Sequence, residues 1–309
     1  MMRSGLLSAS RSARLRDFVE HTPLTRPVVD RFVAGGTVDH ALRSTAALAA
    51  DGLRVTLDHL GEDTTDLAQA HATVAAYESL LGALAGAGLA RAAEVSVKLS
   101  AVGLVLGRDG ETIALDGARR ICAAAATAGT TVTLDMEDHT TTDSTLAILR
   151  ALRPDFPSIG VALQAYLHRT EEDCRALATQ GSRIRLCKGA YREPDSVAFQ
   201  EKTDVDRAYV RCLRVLMGGG GYPMIATHDP RMISIAGALA GEFGRGPGDH
   251  EFQMLHGVRP DEQRHLVREG GRVRVYLPYG RDWYGYFMRR LAERPANVGF
   301  FLRSLATRG

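Results

Sequence analysis

The chain has 309 residues, of which 45% are hydrophobic and 24% charged, with a formal net charge of +2. That composition is ordinary for a globular protein, and the chain is long enough to bury a large core. A charge so near zero, with no block of like charges, argues against a nucleic-acid partner.

The opening segment MMRSGLLSASRSARLRDF holds several arginines but no sustained apolar run, so it does not read as a secretory signal. Residues 39–51 read as a helix, part of a helical N-terminal extension over 1–50 that braces or covers the remainder of the domain. Eight runs rich in β-branched residues come next: 53–60, 94–100, 130–136, 159–166, 182–188, 222–228, 251–257 and 272–278. Helical stretches at 64–90, 115–128, 139–152, 170–180, 196–217, 230–243, 260–269 and 282–293 alternate with them. Several open on a good cap or an acidic first turn, as in Thr170-Glu171-Glu172-Asp173. Strand and helix repeated eight times imply a parallel sheet, and a chain of this length favours a closed (β/α)8 barrel over an open sheet. The expected fold class is therefore α/β, one barrel domain spanning 1–309. The most apolar window, residues 80–90, is too short and Gly-rich to cross a bilayer. The protein is expected to be cytoplasmic, either free or peripheral at the inner face of the cell membrane.

Polar residues collect where the strands end. Asp58, Lys98, Asp135, Gln164, Arg185 with Lys188, Thr227 with His228, Gln253 and Tyr276 all fall at or near strand C-termini. In a barrel this is the rim that carries active sites. One such residue could be a loop-start cap, and Asp135 could cap a helix, but eight together are hard to assign to capping. Of the 38 basic side chains only Lys98, Lys188 and Lys202 are lysines, and two of these lie at or just past strand ends.

Several chemistries lack their motifs. The four cysteines form no C-x-x-C pair and read as free thiols, with Cys187 a structural one. No metal site is expected, although Asp135, Glu137, Asp138 and His139 resemble a cluster on paper. G-x-S-x-G, the P-loop and G-x-G-x-x-G after a strand are absent, which disfavours a Rossmann-bound nicotinamide. The GGGG at 218–221 reads as a flexible turn. In the last predicted helix, adjacent Arg289 and Arg290 lie among apolar residues, with Glu293 at i,i+4 from Arg289. This is either a solvated salt-bridged helix or a guanidinium clamp for a carboxylate.

Seven motifs, VSVKLSAVGL (95–104), LQAYLHRT (163–170), RLCKGAYREP (185–194), ATHD (226–229), EFQMLHGVR (251–259), VRVYLPYG (273–280) and WYGYFMRRLAERPAN (283–297), resemble the proline dehydrogenases. The likeness runs from about residue 31 to the C-terminus and is nearest the monofunctional bacterial form. It implies a distorted barrel with FAD at the rim, and oxidation of L-proline to Δ1-pyrroline-5-carboxylate with electrons passed to a membrane quinone. A separate pyrroline-5-carboxylate dehydrogenase would take the product. By the same resemblance Lys98, Arg289 and Arg290 would bind the proline carboxylate, Glu293 would orient the arginines, and Tyr191 and Tyr276 would pack on the ring. Asp135 and Arg185 would act at the reacting centre, Arg185 beside the flavin. Gln164, Lys188, Gly189, Ala190, Thr227, His228 and the backbone near Met136 would hold the FAD. Cys187 and His256 depart from the family pattern, where an aliphatic residue and a tyrosine are common. The rival readings are a flavin barrel acting on hydroxyproline, a Schiff-base lyase using Lys98 or Lys188, and a catalytically dead binding module.

Overall fold

Alternation within the strands decides which face of each turns inward. Thr56/Asp58, Glu94/Ser96/Lys98, Thr133/Asp135, Arg183/Arg185, Glu251/Gln253 and Arg274/Tyr276 are separated by Leu, Val, Ile or Phe, so each extended segment has a polar and an apolar face. The computed structural model describes residues 29, 31–61 and 64–293. It closes the strands β1 (Arg54–His59), β2 (Ala93–Val97), β3 (Val132–Leu134), β4 (Gly160–Gln164), β5 (Arg183–Cys187), β6 (Tyr222–Ala226), β7 (Glu251–Leu255) and β8 (Val273–Tyr279) into one parallel barrel. Each strand pairs with the next, and β8 returns to β1 with Thr56 opposite Tyr276. All strand C-termini therefore share one rim.

Helices α1 (Val38–Ala50), α2 (Leu67–Gly86), α3 (Gly110–Ala128), α4 (Thr142–Leu152), α5 (Thr170–Leu177), α6 (Lys202–Gly218), α7 (Pro230–Glu242), α8 (Pro260–Arg268) and α9 (Trp283–Glu293) complete the described chain. The apolar strand faces look outward at them. Val55, Leu57, Val95, Val97, Leu134 and Val161 are fully buried in that layer. Each such side chain contributes about 1.5–3 kcal/mol by leaving water. Side-chain caps fix helix starts: Asp66 accepts from the Gln69 amide at 2.9 Å, and Asp229 accepts from that of Arg231 at 3.0 Å with Pro230 in the first turn.

The distortion lies at the closure. In a regular barrel the helix after β8 packs beside β8 and β1. Here α1, from the N-terminal extension, packs on β1 and β8 instead. Helix α9 buries Tyr284, Tyr286, Phe287 and Met288 against Val29, Phe32, Val33 and Leu60. Leu60 comes directly after β1, so α9 lies at the rim. The rest of the extension, residues 1–28 and 30, falls outside the described residues.

Three expectations need correction. Helix α6 begins at Lys202 rather than 196, because the preceding segment crosses the rim and pairs Ala198 with Leu167. Helix α3 begins at Gly110 rather than 115, after a 3-10 turn over Gly107–Asp109. The glycine run is packed, not flexible: a Cβ on Gly219 would stand 2.6 Å from the Ala178 carbonyl oxygen, and one on Gly221 would collide with Ser182. Arg245 secures this turn by donating to the carbonyls of Met217, Gly221, Asp249, Leu216 and Gly219 at 2.6–3.1 Å. Among the described residues no helix is long and apolar enough to cross a membrane.

Arg245→Ala is expected to lower stability by about 2–3 kcal/mol, the loss of one multiply bonded charged donor. Lysine should restore little, since a point charge cannot span the carbonyls a fork reaches. Urea unfolding of both variants checks this, and an Arg245→Lys chain as stable as the parent would refute it.

Candidate active site

The inward faces meet as charges. Most such barrels fill their interior with branched apolar side chains; this one uses an ion-pair stack. Low in the barrel Glu94 pairs with Arg183 at 2.6 Å and lies 3.7 Å from Arg274. Arg274 also holds Glu251 at 2.6 Å, and Gln253 donates to Glu251 at 2.7 Å. Thr56 and Thr133 donate to Glu94 at 2.9 and 3.1 Å. Burial by itself would raise both carboxyls, but Arg183, Arg274 and Arg185 hold Glu94 well below the usual range, and Arg274 holds Glu251 below it too.

Arg185 tops this stack. Its Nε donates to Gln253 at 2.6 Å and its Nη1 to Ser96 at 2.8 Å and to Asp135, while Nη2 stands 3.6 Å from Glu94. Burial disfavours its charge, yet Asp135 and Glu94 outweigh that and raise it above the ordinary arginine value. Asp135 accepts from Ser96 at 2.7 Å and, on its other oxygen, from the Tyr276 hydroxyl at 2.7 Å. Burial and then Asp135 keep Tyr276 well above its ordinary value, so it remains a donor. The Tyr276 ring lies over the Arg185 guanidinium, 5.4 Å to the centroid. Asp135, Arg185 and Tyr276 are thus one assembly. Asp135 caps no helix; Asp138 does that, accepting from Thr140 at 2.9 Å.

The other expected residues ring this assembly. Lys98, just past β2, pairs with buried Asp58 at 2.8 Å. Lys188, just past β5, lies between Asp206 at 2.5 Å and Asp229 at 2.9 Å. Thr227 is buried and its hydroxyl accepts from the Asp229 amide at 3.1 Å. His228 accepts through Nε2 from the Leu255 amide at 2.9 Å, which places its ring proton on Nδ1. Gln164 donates to the Glu137 carbonyl at 2.7 Å, and Met136, just past β3, is buried. Gly189 has φ +119, and a Cβ there would strike the Tyr166 ring. Ala190 and Tyr191 stand exposed on the same segment. Arg289, Arg290 and Glu293 lie on α9, and their side chains fall outside the described residues.

The paper cluster of Asp135, Glu137, Asp138 and His139 diverges: Glu137 binds Ser100, and His139 binds Glu193. Cys187 is half-buried, and burial pushes its thiol up to about 11, an inert structural thiol. His256 is pulled down by burial to about 4 and stands neutral. Glu94, Arg183, Glu251 and Arg274 were not among the expected site residues. Their signal was present in the two-residue alternation of charge along β2, β5, β7 and β8.

Known proteins resemble this chain in sequence and in architecture. The family model described as proline dehydrogenase matches residues 41–303. The chain is 38% identical over 305 residues to "Proline dehydrogenase 1" of Bacillus subtilis, covering 99% of both chains. It is 42% identical over 280 residues to "Proline dehydrogenase" of Deinococcus radiodurans, covering 90% of both. Its fold is similar to the crystal structure of proline utilization A (PutA) from Bdellovibrio bacteriovorus inactivated by N-propargylglycine, with TM-score 0.80 and 25% identity. That match covers 86% of this chain and 32% of the longer one.

Two outcomes test the stack. Glu94→Gln leaves a buried arginine uncompensated and should cost about 3–5 kcal/mol. The folded carboxyls titrate below their unfolded values, so their contribution is complete above the ordinary glutamate value of about 4.3 and is lost progressively as pH falls from there toward the lower folded values. Denaturant midpoints taken from about pH 7 down to about pH 3 should therefore fall on the acid side. A flat acid limb would contradict the depressed carboxyls.

Proposed function

This chain belongs to the proline dehydrogenase family, and from that premise we propose that it oxidises L-proline to Δ1-pyrroline-5-carboxylate, with FAD at the barrel rim and a membrane quinone as electron acceptor. The observation that carries the reading is the Asp135–Arg185–Tyr276 assembly, a permanently charged guanidinium fixed under a phenol at the mouth of the barrel.

The donor set at the rim suits a flavin dinucleotide. Such a cofactor has an anionic diphosphate, a polar ring edge and an apolar ring face. Lys188, Thr227 and His228 offer cationic and polar groups along β5 and β6, Gln164 an amide, and Met136 an apolar contact. Gly189 lets the backbone press on Tyr166 and carry Ala190 and Tyr191 along the rim. These residues and Arg185 would hold the group, and when bound it would supply the two-electron acceptor for the hydride leaving proline C5.

The chain's own contribution is position and field. Lys98, Arg289 and Arg290 would anchor the substrate carboxylate, with Glu293 orienting the arginines, and Tyr276 and Tyr191 would flank the ring. Fixing the carboxylate at one end and the ring at the other removes much of the entropic barrier. A fixed cation at Arg185 would favour the negative charge that the acceptor takes up with the hydride. Asp135 acts by holding both Tyr276 and Arg185, because three donors already occupy its oxygens. The ring nitrogen loses a proton as the C5–N bond becomes a double bond, and the separate pyrroline-5-carboxylate dehydrogenase would consume the product. A Schiff-base lyase is not favoured: Lys98 and Lys188 are both ion-paired, whereas that chemistry needs an available neutral amine.

An anaerobic spectrum of the purified protein before and after L-proline tests the proposal. A yellow protein bleached by proline, and much less by hydroxyproline, is the expected result. A yellow protein indifferent to proline would sink the substrate, and a colourless one that takes up no FAD would sink the cofactor. Arg289→Lys should raise KM for proline by about tenfold, since an ammonium does not reproduce the fork. Unchanged KM would remove Arg289 from the clamp.

A further inference from the structure

The segment between β5 and α6 crosses the rim over residues 188–201, and it carries Lys188, Gly189, Ala190 and Tyr191. Lacking regular structure, it must be anchored by side chains if those four residues are to hold fixed positions. Its first residue is tied down twice: Lys188 by Asp206 and Asp229, and its carbonyl by the Tyr166 amide at 2.9 Å. The second anchor is Glu193, which is 7% exposed. One oxygen accepts from the His139 amide at 2.9 Å and from the Tyr166 hydroxyl at 3.4 Å, and the other meets His139 Nδ1. Gln200 donates to the Glu193 carbonyl at 3.3 Å.

We propose that Glu193 is a positioning residue of this enzyme, locking the 188–193 segment in shape by joining it to His139 of the β3–α4 loop and Tyr166 of the β4–α5 loop. The proposal rests on the flavin reading only for what the segment holds. Tyr166 is the hinge of the arrangement. Its ring is the surface on which Gly189 rests, and its hydroxyl reaches Glu193, so one aromatic side chain sets both ends of the short turn. A buried carboxylate receiving several donors is strong and directional, and it is costly to leave half-satisfied. Its loss should loosen the turn while leaving the Arg185 assembly, which is held by strands, in place.

The test uses the full-length protein with Glu193→Gln, Glu193→Ala and His139→Gln. Hydrogen exchange without flavin should speed up by about tenfold or more at the amides of 189–193 and 139–141 and stay unchanged in β5 and β6. The dissociation constant for FAD should rise by about tenfold, and KM for proline should rise by more than kcat falls. Alanine should exceed glutamine in each effect, since glutamine still accepts from the His139 amide. If Glu193→Gln does not fold, His139→Gln removes the side-chain half of the contact from a more exposed position and must show the same local exchange. Unchanged exchange at 189–193 would overturn the proposal, as would a fall in kcat without any change in exchange, which would mark a direct chemical role. If the parent protein binds no flavin the functional reading fails, while the exchange data still decide whether Glu193 anchors the segment.

Discussion

Charge balance inside the barrel is the constraint on which the rest of this structure depends. Arg183, Arg185 and Arg274 face Glu94, Asp135 and Glu251 in the barrel interior, largely shielded from solvent. Stability alone does not explain such a stack, because desolvating ion pairs often costs more than their attraction returns, and apolar packing of the same volume would serve as well. What the stack provides is orientation. A guanidinium gripped through Nε and Nη1 by groups on β7 and β2 and just past β3 cannot rotate, and the carboxylates beside it keep it charged. The barrel thus delivers a cation to its rim with the geometry settled before any ligand arrives.

The same constraint shapes the outside. With charges committed inward, the strands turn their branched residues to the helices, and the large apolar core lies between barrel and helical ring. Displacing α9 to the rim respects the same division. Its aromatic face finds a small core of its own with Phe32, Val33 and Leu60, joined by the tilted Phe32–Phe287 pair. The eighth position in the ring is then filled by α1, so the N-terminal extension belongs to the barrel's closure.

Most of the architecture was legible in the sequence because periodicity and strand-end polarity are local signals. Eight strands and their helices fall within a few residues of where composition placed them; Lys98, Asp135, Gln164, Lys188, Thr227 and His228 fall at the strand ends, whereas Arg185, Gln253 and Tyr276 lie mid-strand inside the barrel. The boundaries that failed, 196 for α6 and 115 for α3, failed where tertiary contacts override propensity: Leu167 pairs with Ala198, and Gly110 packs under the Leu104 carbonyl. The buried stack was legible in principle, since E-V-S-V-K, R-I-R, E-F-Q and R-V-Y announce a polar face with a period of two. A parallel barrel strand is ordinarily apolar on both faces, and these four depart from that rule. The anchoring of Glu193 could not be read from sequence, because its partners His139 and Tyr166 belong to two other loops and meet it only when the rim is assembled.

Two kinds of support therefore converge on one site, and they differ in stiffness. Asp135, Arg185 and Tyr276 inherit their positions from hydrogen-bonded strands, whose relative displacement would break the ladder. Lys188 through Tyr191 lie on irregular chain, where position is only as good as the side chains that hold it. A hydride transfer tolerates little misalignment, and displacement by about 1 Å can cost roughly a hundredfold in rate. The irregular turn is held at its two ends: by paired aspartates at Lys188, and by a buried carboxylate shared by two loops at Glu193. The precision of the site is therefore limited by the weaker of its two supports, the loop.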